Sequence, residues 1–145
     1  MKIYLDNCCY NRPFDDQTQE RIHLENEAIL AVLKRGQLRK DVIVGSAVLE
    51  LEMERMRDER KKQKVKELYK VASVHIPYTE KIRKRSQEIM EQSKIRTFDS
   101  LHIASAEGAG ADVMLTTDDK LEKMAAGLEL KVKVANPLRF IWEAI

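Results

Sequence analysis

Asp41-Val42-Ile43-Val44-Gly45-Ser46 is the stretch that decides the fold. Its apolar run is continuous and β-branched rather than alternating, the pattern of a strand buried on both faces, and such strands belong to parallel sheets covered by helices. Ser46 follows directly and can cap a helix with its hydroxyl; that helix carries Val48, Leu49, Leu51, Glu52 and Met56. Upstream, Ile22, Ala28, Ile29, Val32 and Leu33 suit a helix over 17–35, started by Asp15 or Asp16 and stopped by Gly36. Before it, Lys2 to Leu5 reads as a short strand ended by Asp6 and Asn7, and 11–16, with Pro13 inside, as a loop.

Downstream the alternation continues. The segment after Asp58 is predicted helical to about residue 70, and Val74-His75-Ile76 is a third strand ended by Pro77. Thr79 and Glu80 start a helix through about residue 92. Thr97 or Asp99 opens another, bearing Leu101, Ile103, Ala104 and Ala106 and ending at Gly108-Ala109-Gly110. Val113-Met114-Leu115 is the fourth strand; Thr116 to Asp119 turn into a helix with Leu121 and Met124, closed by Gly127. Val132-Lys133-Val134 is the fifth strand, and 138–145 a short helix. Strands separated by helices imply an α/β fold with a parallel sheet of about five strands, its ligand crevice outside the strands' C-terminal ends.

The 145 residues, 43% hydrophobic and 34% charged, describe a single domain over 1–145 with no internal repeat or linker. At this length roughly 70% of the unfolded surface is buried on folding, so no disulfide or structural metal is needed. The longest apolar stretch, Val42 to Leu49, is far short of the roughly 20 residues that span a bilayer. Asp6 and Asn7 arrive before any export signal forms, so no membrane association and a cytoplasmic address are expected. Cys8 and Cys9 are sequence neighbours, a spacing that rarely gives a structural disulfide, and they lack the second pair a zinc site requires. They read as reduced, small apolar packers. The net charge of +2 is too even to advertise a polyanion binder. Within Arg55 to Lys70, however, eight bases against three acids leave +5. That segment is either a solvated helical face with pairs such as Asp58 and Lys62, or a surface for phosphates.

Four acids fall just beyond strand ends or on adjoining helices. Asp6 ends the first strand, Glu52 lies on the helix after the second, Asp99 opens the helix before the fourth, and Asp118 follows the fourth. Clustered carboxylates raise one another's pKa and need a cation or a shared proton at neutral pH. Carboxylate oxygens suit Mg²⁺ or Mn²⁺, and metal-assisted phosphoryl chemistry is the natural use of such a group.

Ile3-Tyr4-Leu5-Asp6-Asn7, Ser46 followed by Glu52, Phe98-Asp99-Ser100-Leu101-His102-Ile103-Ala104 and Leu115-Thr116-Thr117-Asp118 resemble, in order and spacing, the PIN-domain family, and especially the VapC-like toxins of toxin–antitoxin pairs. The resemblance covers essentially the whole chain. It implies a three-layer α/β/α sandwich and a Mg²⁺- or Mn²⁺-dependent endoribonuclease that leaves a 5′ phosphate and a 3′ hydroxyl. It further implies a homodimer, held inactive by a small antitoxin whose tail enters the acidic groove. By the same resemblance Asp6, Glu52, Asp99 and Asp118 are the metal-binding acids, and Thr116 is the hydroxyl residue that holds Asp6. Asn7-Cys8 stands where the family usually has a small hydroxyl residue, so that contact falls to the Asn7 amide or is lost. Glu50 and Glu52 point about 200° apart on a helix, so only one can face the site; the spacing from Ser46 favours Glu52. The Thr-x-Asp spacing likewise favours Asp118 over Asp119.

Arg12, Lys94 and Arg96 flank the crevice on loops, and Arg12, Arg96, Lys61 and Lys62 are the expected contacts to an RNA backbone; Arg12 can equally pair with Asp15 or Asp16. His102 reads as a helix-face histidine beside Asp99. His75 and His23 have no partner spacing that suggests a ligand. With 6% aromatic residues, phosphate contacts should dominate over base stacking, and Phe140, Ile141 and Trp142 read as core or dimer surface. An alternative is a catalytically weak PIN-fold module that binds RNA or protein. A receiver-like phosphoacceptor fits poorly, because Asp6 is followed by Asn7 and no lysine follows the last strand.

Overall fold

The computed structural model describes residues 1–144. Among them five strands, β1 (Lys2–Leu5), β2 (Val42–Ser46), β3 (Val74–Ile76), β4 (Val113–Leu115) and β5 (Lys133–Ala135), form one parallel sheet in the order β3-β2-β1-β4-β5. The α/β expectation is met: the sheet is flanked by helices, and Ile3, Tyr4 and Leu5 of the central strand are fully buried. The register sets Ile3 beside both Ile43 and Val113, and Leu5 beside Leu115. The chain builds outward from β1 to β3, crosses back to β4 and proceeds to β5. The strand order therefore reverses between β1 and β4, and a crevice opens at their C-terminal ends.

The helices among the described residues are α1 (Asn7–Asn11), α2 (Glu20–Gln37), α3 (Ala47–Glu54), α4 (Glu59–Tyr69), α5 (Glu80–Glu91), α6 (Thr97–Gly108), α7 (Asp119–Ala126) and α8 (Pro137–Ala144). Side-chain caps start four of the later ones: Ser46, Asp58, Thr79 and Asp118 accept backbone N–H groups of α3, α4, α5 and α7. Three local expectations are corrected. Asn7 onward is helical rather than loop, because Asp6 caps α1 and Pro13 fits the first turn of a 3₁₀ segment, Arg12–Phe14. Neither Asp15 nor Asp16 caps α2, whose cap is Gln19 without a side-chain bond; Asp16 instead accepts from Thr18 in a local turn. Gly36 does not stop α2, which ends as Arg39 enters the left-handed region at φ 58°. A Cβ on Gly36 would lie 2.5 Å from Ile43 Cγ1, so this glycine permits close packing of helix on sheet.

Gly45 has a similar role at the crest of β2. A Cβ there would run into Tyr69 Oη and lie 2.7 Å from His75 Nδ1, and Tyr69 Oη receives the Ser46 N–H and donates to Glu50. Gly45→Ala is expected to destabilise the fold by about 1–3 kcal/mol through this overpacking, read as a lower midpoint in urea with an unchanged slope.

Candidate functional site

At the switch point the local chain geometry delivers one carboxylate after another to the same place. Asp6 leaves β1 with its backbone N–H still bonded to Leu115 O, and turns at once into α1. Its side chain, almost buried at 6% exposure, accepts from the Asn7 N–H at 2.7 Å, from Thr116 Oγ1 at 3.0 Å and from the Cys8 thiol at 3.4 Å. Thr116, the first residue beyond β4, also receives the Asp118 N–H at 3.2 Å. Asp118 Oδ1 in turn caps α7 through Lys120 and Leu121. Glu52 comes from α3 and Asp99 from the first turn of α6. Asp6, Glu52, Asp99 and Asp118 together line an open cleft of about 470 Å³, with Asn7, Cys8, Asn11 and Asp15.

The neighbours that competed in sequence are separated in space. Glu50 turns to the other side of α3, where its Oε2 accepts from Tyr69 Oη at 2.7 Å and lies 3.2 Å from His75 Nδ1. Asp119 points outward into an ion pair with Arg21. Asn7 contributes its backbone N–H to Asp6, while its side-chain oxygen accepts from Asn11. The thiol of Cys8 fills the remaining position beside Asp6, between Thr116 Oγ1 and the Thr117 N–H. Cys8 is thus more than an apolar packer, whereas Cys9 is fully buried; both are free.

His102 is the residue whose placement differs most from the sequence reading. It is fully buried and its Nε2 lies 3.0 Å from Glu52 Oε1 and 3.8 Å from Asp6 Oδ1; its hydrogen-bonded acid is Glu52 rather than Asp99. Asp6, Glu52 and His102 each present one donor atom within 4.8 Å of the others. Burial by itself would lower the His102 pKa, but the Glu52 hydrogen bond and the charges of Asp6, Glu52 and Asp99 outweigh it and raise it. For Asp99, burial and then the charge of Asp6 push the carboxyl up to about 6; His102 pulls the other way, and Asp118 and Glu52 add to the rise. A carboxyl so strained by its neighbours, among oxygen donors held by hydrogen bonds, is the setting that a hard divalent cation relieves.

Three cations share the cleft wall. Arg12 and Lys61 both reach Asp15, at 3.0 Å each, and Arg96 lines the cleft with no ion pair among the described residues. Lys62 and Lys94 do not line it: the Lys62 ammonium pairs with Glu54 at 3.1 Å and Glu59 at 3.7 Å, and Asp58, its expected partner, caps α4 instead. Arg12 also carries a contact that the sequence reading missed. Its Nε lies 3.2 Å from Oε1 of Glu25, a carboxylate buried within α2 that further meets Arg21 Nε at 3.4 Å and Asn136 Nδ2 at 2.6 Å. A larger hollow of about 880 Å³, lined by Leu33, Gly36, Val42 and Val71 among others, lies at the opposite end of the strands, away from these acids.

A parallel sheet of this order with an acidic cleft at its switch point defines the class, and the sequence agrees: the PIN domain family matches residues 4–127, and the chain belongs to it. The fold is similar to that in the crystal structure of VapBC2 from Rickettsia felis bound to a DNA fragment from their promoter, with TM-score 0.62 and 11% identity over 94% of this chain and 98% of that one. It is also similar to VapBC-1 from nontypeable Haemophilus influenzae, with TM-score 0.56 and 15% identity over the same shares. Comparison with curated proteins finds no match. Among the described residues no helix is long and apolar enough to cross a membrane.

Proposed function

We propose that this protein is a Mg²⁺- or Mn²⁺-dependent endoribonuclease, the toxin of a type II toxin–antitoxin pair acting in the cytoplasm as a homodimer. The observation that carries the reading is the convergence of Asp6, Glu52, Asp99 and Asp118, from four separate segments, on one cleft at the switch point of a PIN-domain sheet. A bound divalent ion supplies a polarised water and neutralises charge on the scissile phosphate. The chain's own groups hold the acids in register: Thr116, Cys8 and the Asn7 N–H fix Asp6, and His102 fixes Glu52. Lys61, Arg12 and Arg96 give the cleft wall a positive potential suited to an RNA backbone. The likeness to VapBC structures supports a small antitoxin as partner. The deciding experiment is incubation of the purified protein with a mixed single-stranded RNA pool in Mn²⁺, Mg²⁺ or EDTA. Metal-dependent cutting supports the enzyme; Mn²⁺ binding without cutting of any RNA favours a binding module.

The titration of Asp99 gives a second check. Its folded-state pKa lies above the unfolded one, so its stabilising contribution is complete below about pH 4 and is lost as pH rises through about 6. Measured against Asp99→Asn, which does not titrate, the melting temperature in EDTA is expected to fall over that window. Mn²⁺ is expected to recover the loss at neutral pH, because the ion's charge offsets the repulsion among the ionised carboxylates. A relative melting temperature that stays flat would remove Asp99 from the cluster.

Substrate contacts can be sorted by salt dependence. On an Asp6→Asn background, which keeps the RNA intact, the pair Lys61→Ala and Arg96→Ala should flatten the slope of log affinity against log salt by about 1.4. Lys62→Ala, whose ammonium pairs with Glu54 and Glu59 outside the cleft lining, should leave the slope unchanged.

A further inference from the structure

Three fully buried polar side chains stand in line beneath the acids. Ser46 Oγ lies 2.7 Å from Tyr4 Oη, Tyr4 Oη lies 2.6 Å from His102 Nδ1, and His102 Nε2 lies 3.0 Å from Glu52 Oε1. Counting protons fixes the direction of each bond. The Leu49 N–H donates to Ser46 Oγ at 3.0 Å, and Tyr4 Oη is the one other partner of that hydroxyl among the described residues, so the Ser46 proton goes to Tyr4. The Tyr4 phenol carries one proton in its ordinary form, and with Ser46 donating to Tyr4 that proton has His102 Nδ1 as acceptor. The proton of a neutral imidazole is left on Nε2, aimed at Glu52. The reverse polarity would strand the Ser46 proton in the interior without an acceptor.

We infer that His102 is a positioning residue for Glu52 and not a ligand to the ion. The Ser46–Tyr4–His102 chain presents an N–H where a ligand needs a lone pair, and it clamps Glu52 Oε1 so that Oε2 is the oxygen left for the cleft. The same N–H faces Asp6 Oδ1 at 3.8 Å without bonding it. The spacing that makes Asp6, Glu52 and His102 a geometrically possible ligand triplet therefore contains a donor. This role rests on the nuclease reading above.

The test uses the whole chain and two spectroscopic readouts that need no substitution. In ¹H–¹⁵N spectra of the metal-free protein at about pH 9, above the ordinary histidine range, His102 is expected as the Nε2–H tautomer; the Nδ1–H form would overturn the inference. In Mn²⁺-loaded protein, electron spin-echo modulation is expected to show no directly coordinated imidazole nitrogen, and finding one would overturn it as well. By calorimetry, His102→Leu should weaken Mn²⁺ binding about 10–100-fold. His102→Gln, whose amide N–H can reach Glu52, should restore it to within about 3-fold. Tyr4→Phe, which keeps the ring and breaks the chain, should fall between the two. Equal Mn²⁺ affinity in wild type and His102→Leu would overturn the role. Wild-type protein that binds no Mn²⁺ overturns the nuclease reading itself, whereas bound Mn²⁺ with the wrong tautomer overturns only the assignment of His102.

Discussion

Asp6→Asn is expected to reduce metal-dependent RNA cleavage by at least roughly 10²–10³-fold, the loss that follows removal of one preorganised electrostatic group from a reaction centre. The fold should survive. Asn caps a helix as well as Asp does, so α1 keeps its acceptor for the Asn7 N–H. The Thr116 hydroxyl, which donates to Asp6, can rotate to accept from the new amide. What disappears is a negative charge at the position where the other acids converge. The same charge is, after burial, the strongest influence raising Asp99. The variant is therefore also expected to let the Asp99 carboxyl relax toward its ordinary range, a change that NMR titration reads independently of activity. Cleavage assayed beside wild type in Mn²⁺ and EDTA, with Mn²⁺ titrated by calorimetry, checks the first part. Full activity in Asp6→Asn would remove the acid cleft from the reaction.

Arg12→Ala is expected to destabilise the protein by about 3–5 kcal/mol, on the order of 10 °C in melting temperature, although Arg12 sits on the cleft wall. Glu25 is 0% exposed, and Arg12 is its best-sheltered cationic partner, because Arg21 is half exposed and shared with Asp119. Deleting the Arg12 guanidinium leaves a carboxylate in the interior that has lost its main counter-charge. Adding Glu25→Gln to Arg12→Ala should recover part of the loss, since a neutral amide can still accept from Asn136. Urea unfolding of the single and double variants measures this. A loss below about 1 kcal/mol in Arg12→Ala would show that the pair is not strongly coupled. An activity defect in an Arg12 variant therefore has to be read beside its stability before it is ascribed to RNA contacts.

The legible parts of this protein are those dictated by local pattern. The β-branched run at Val42–Val44 and the apolar segments at Ile3–Leu5 and Val113–Leu115 announce buried parallel strands, and acids placed at their ends imply a shared crevice whatever their distance along the chain. Helix caps at Ser46 and Thr79 are equally local. Contacts between distant residues were not legible in this way. Glu25 lies on a helix rich in charges, and nothing nearby in sequence marks it as buried; its partner Asn136 is 111 residues away. The link from Tyr4 to His102 spans 98 residues, although a tyrosine in an otherwise aliphatic strand is a signal that some polar partner must exist. Nor does a strongly charged helix declare that Lys61, and not Lys62, lines the cleft. The five-residue α1 is too short for periodicity to mark it, and Asp6 serves both as its cap and as a cleft acid.

The position of β1 in the middle of the sheet has a consequence for the order of events in synthesis. β1, which leaves the ribosome before the other four strands of this sheet, pairs on one side with β2 and on the other with β4, whose last residue is Leu115. A nascent chain that has emerged only through Asp99 holds three of the four acids but has neither the strand that closes β1 nor the Thr116 hydroxyl that steadies Asp6. If the cleft is a ribonuclease centre, the translating ribosome and its message are exposed to it only after β4 and Thr116 have emerged, so late completion of the sheet acts as a timer built into chain connectivity.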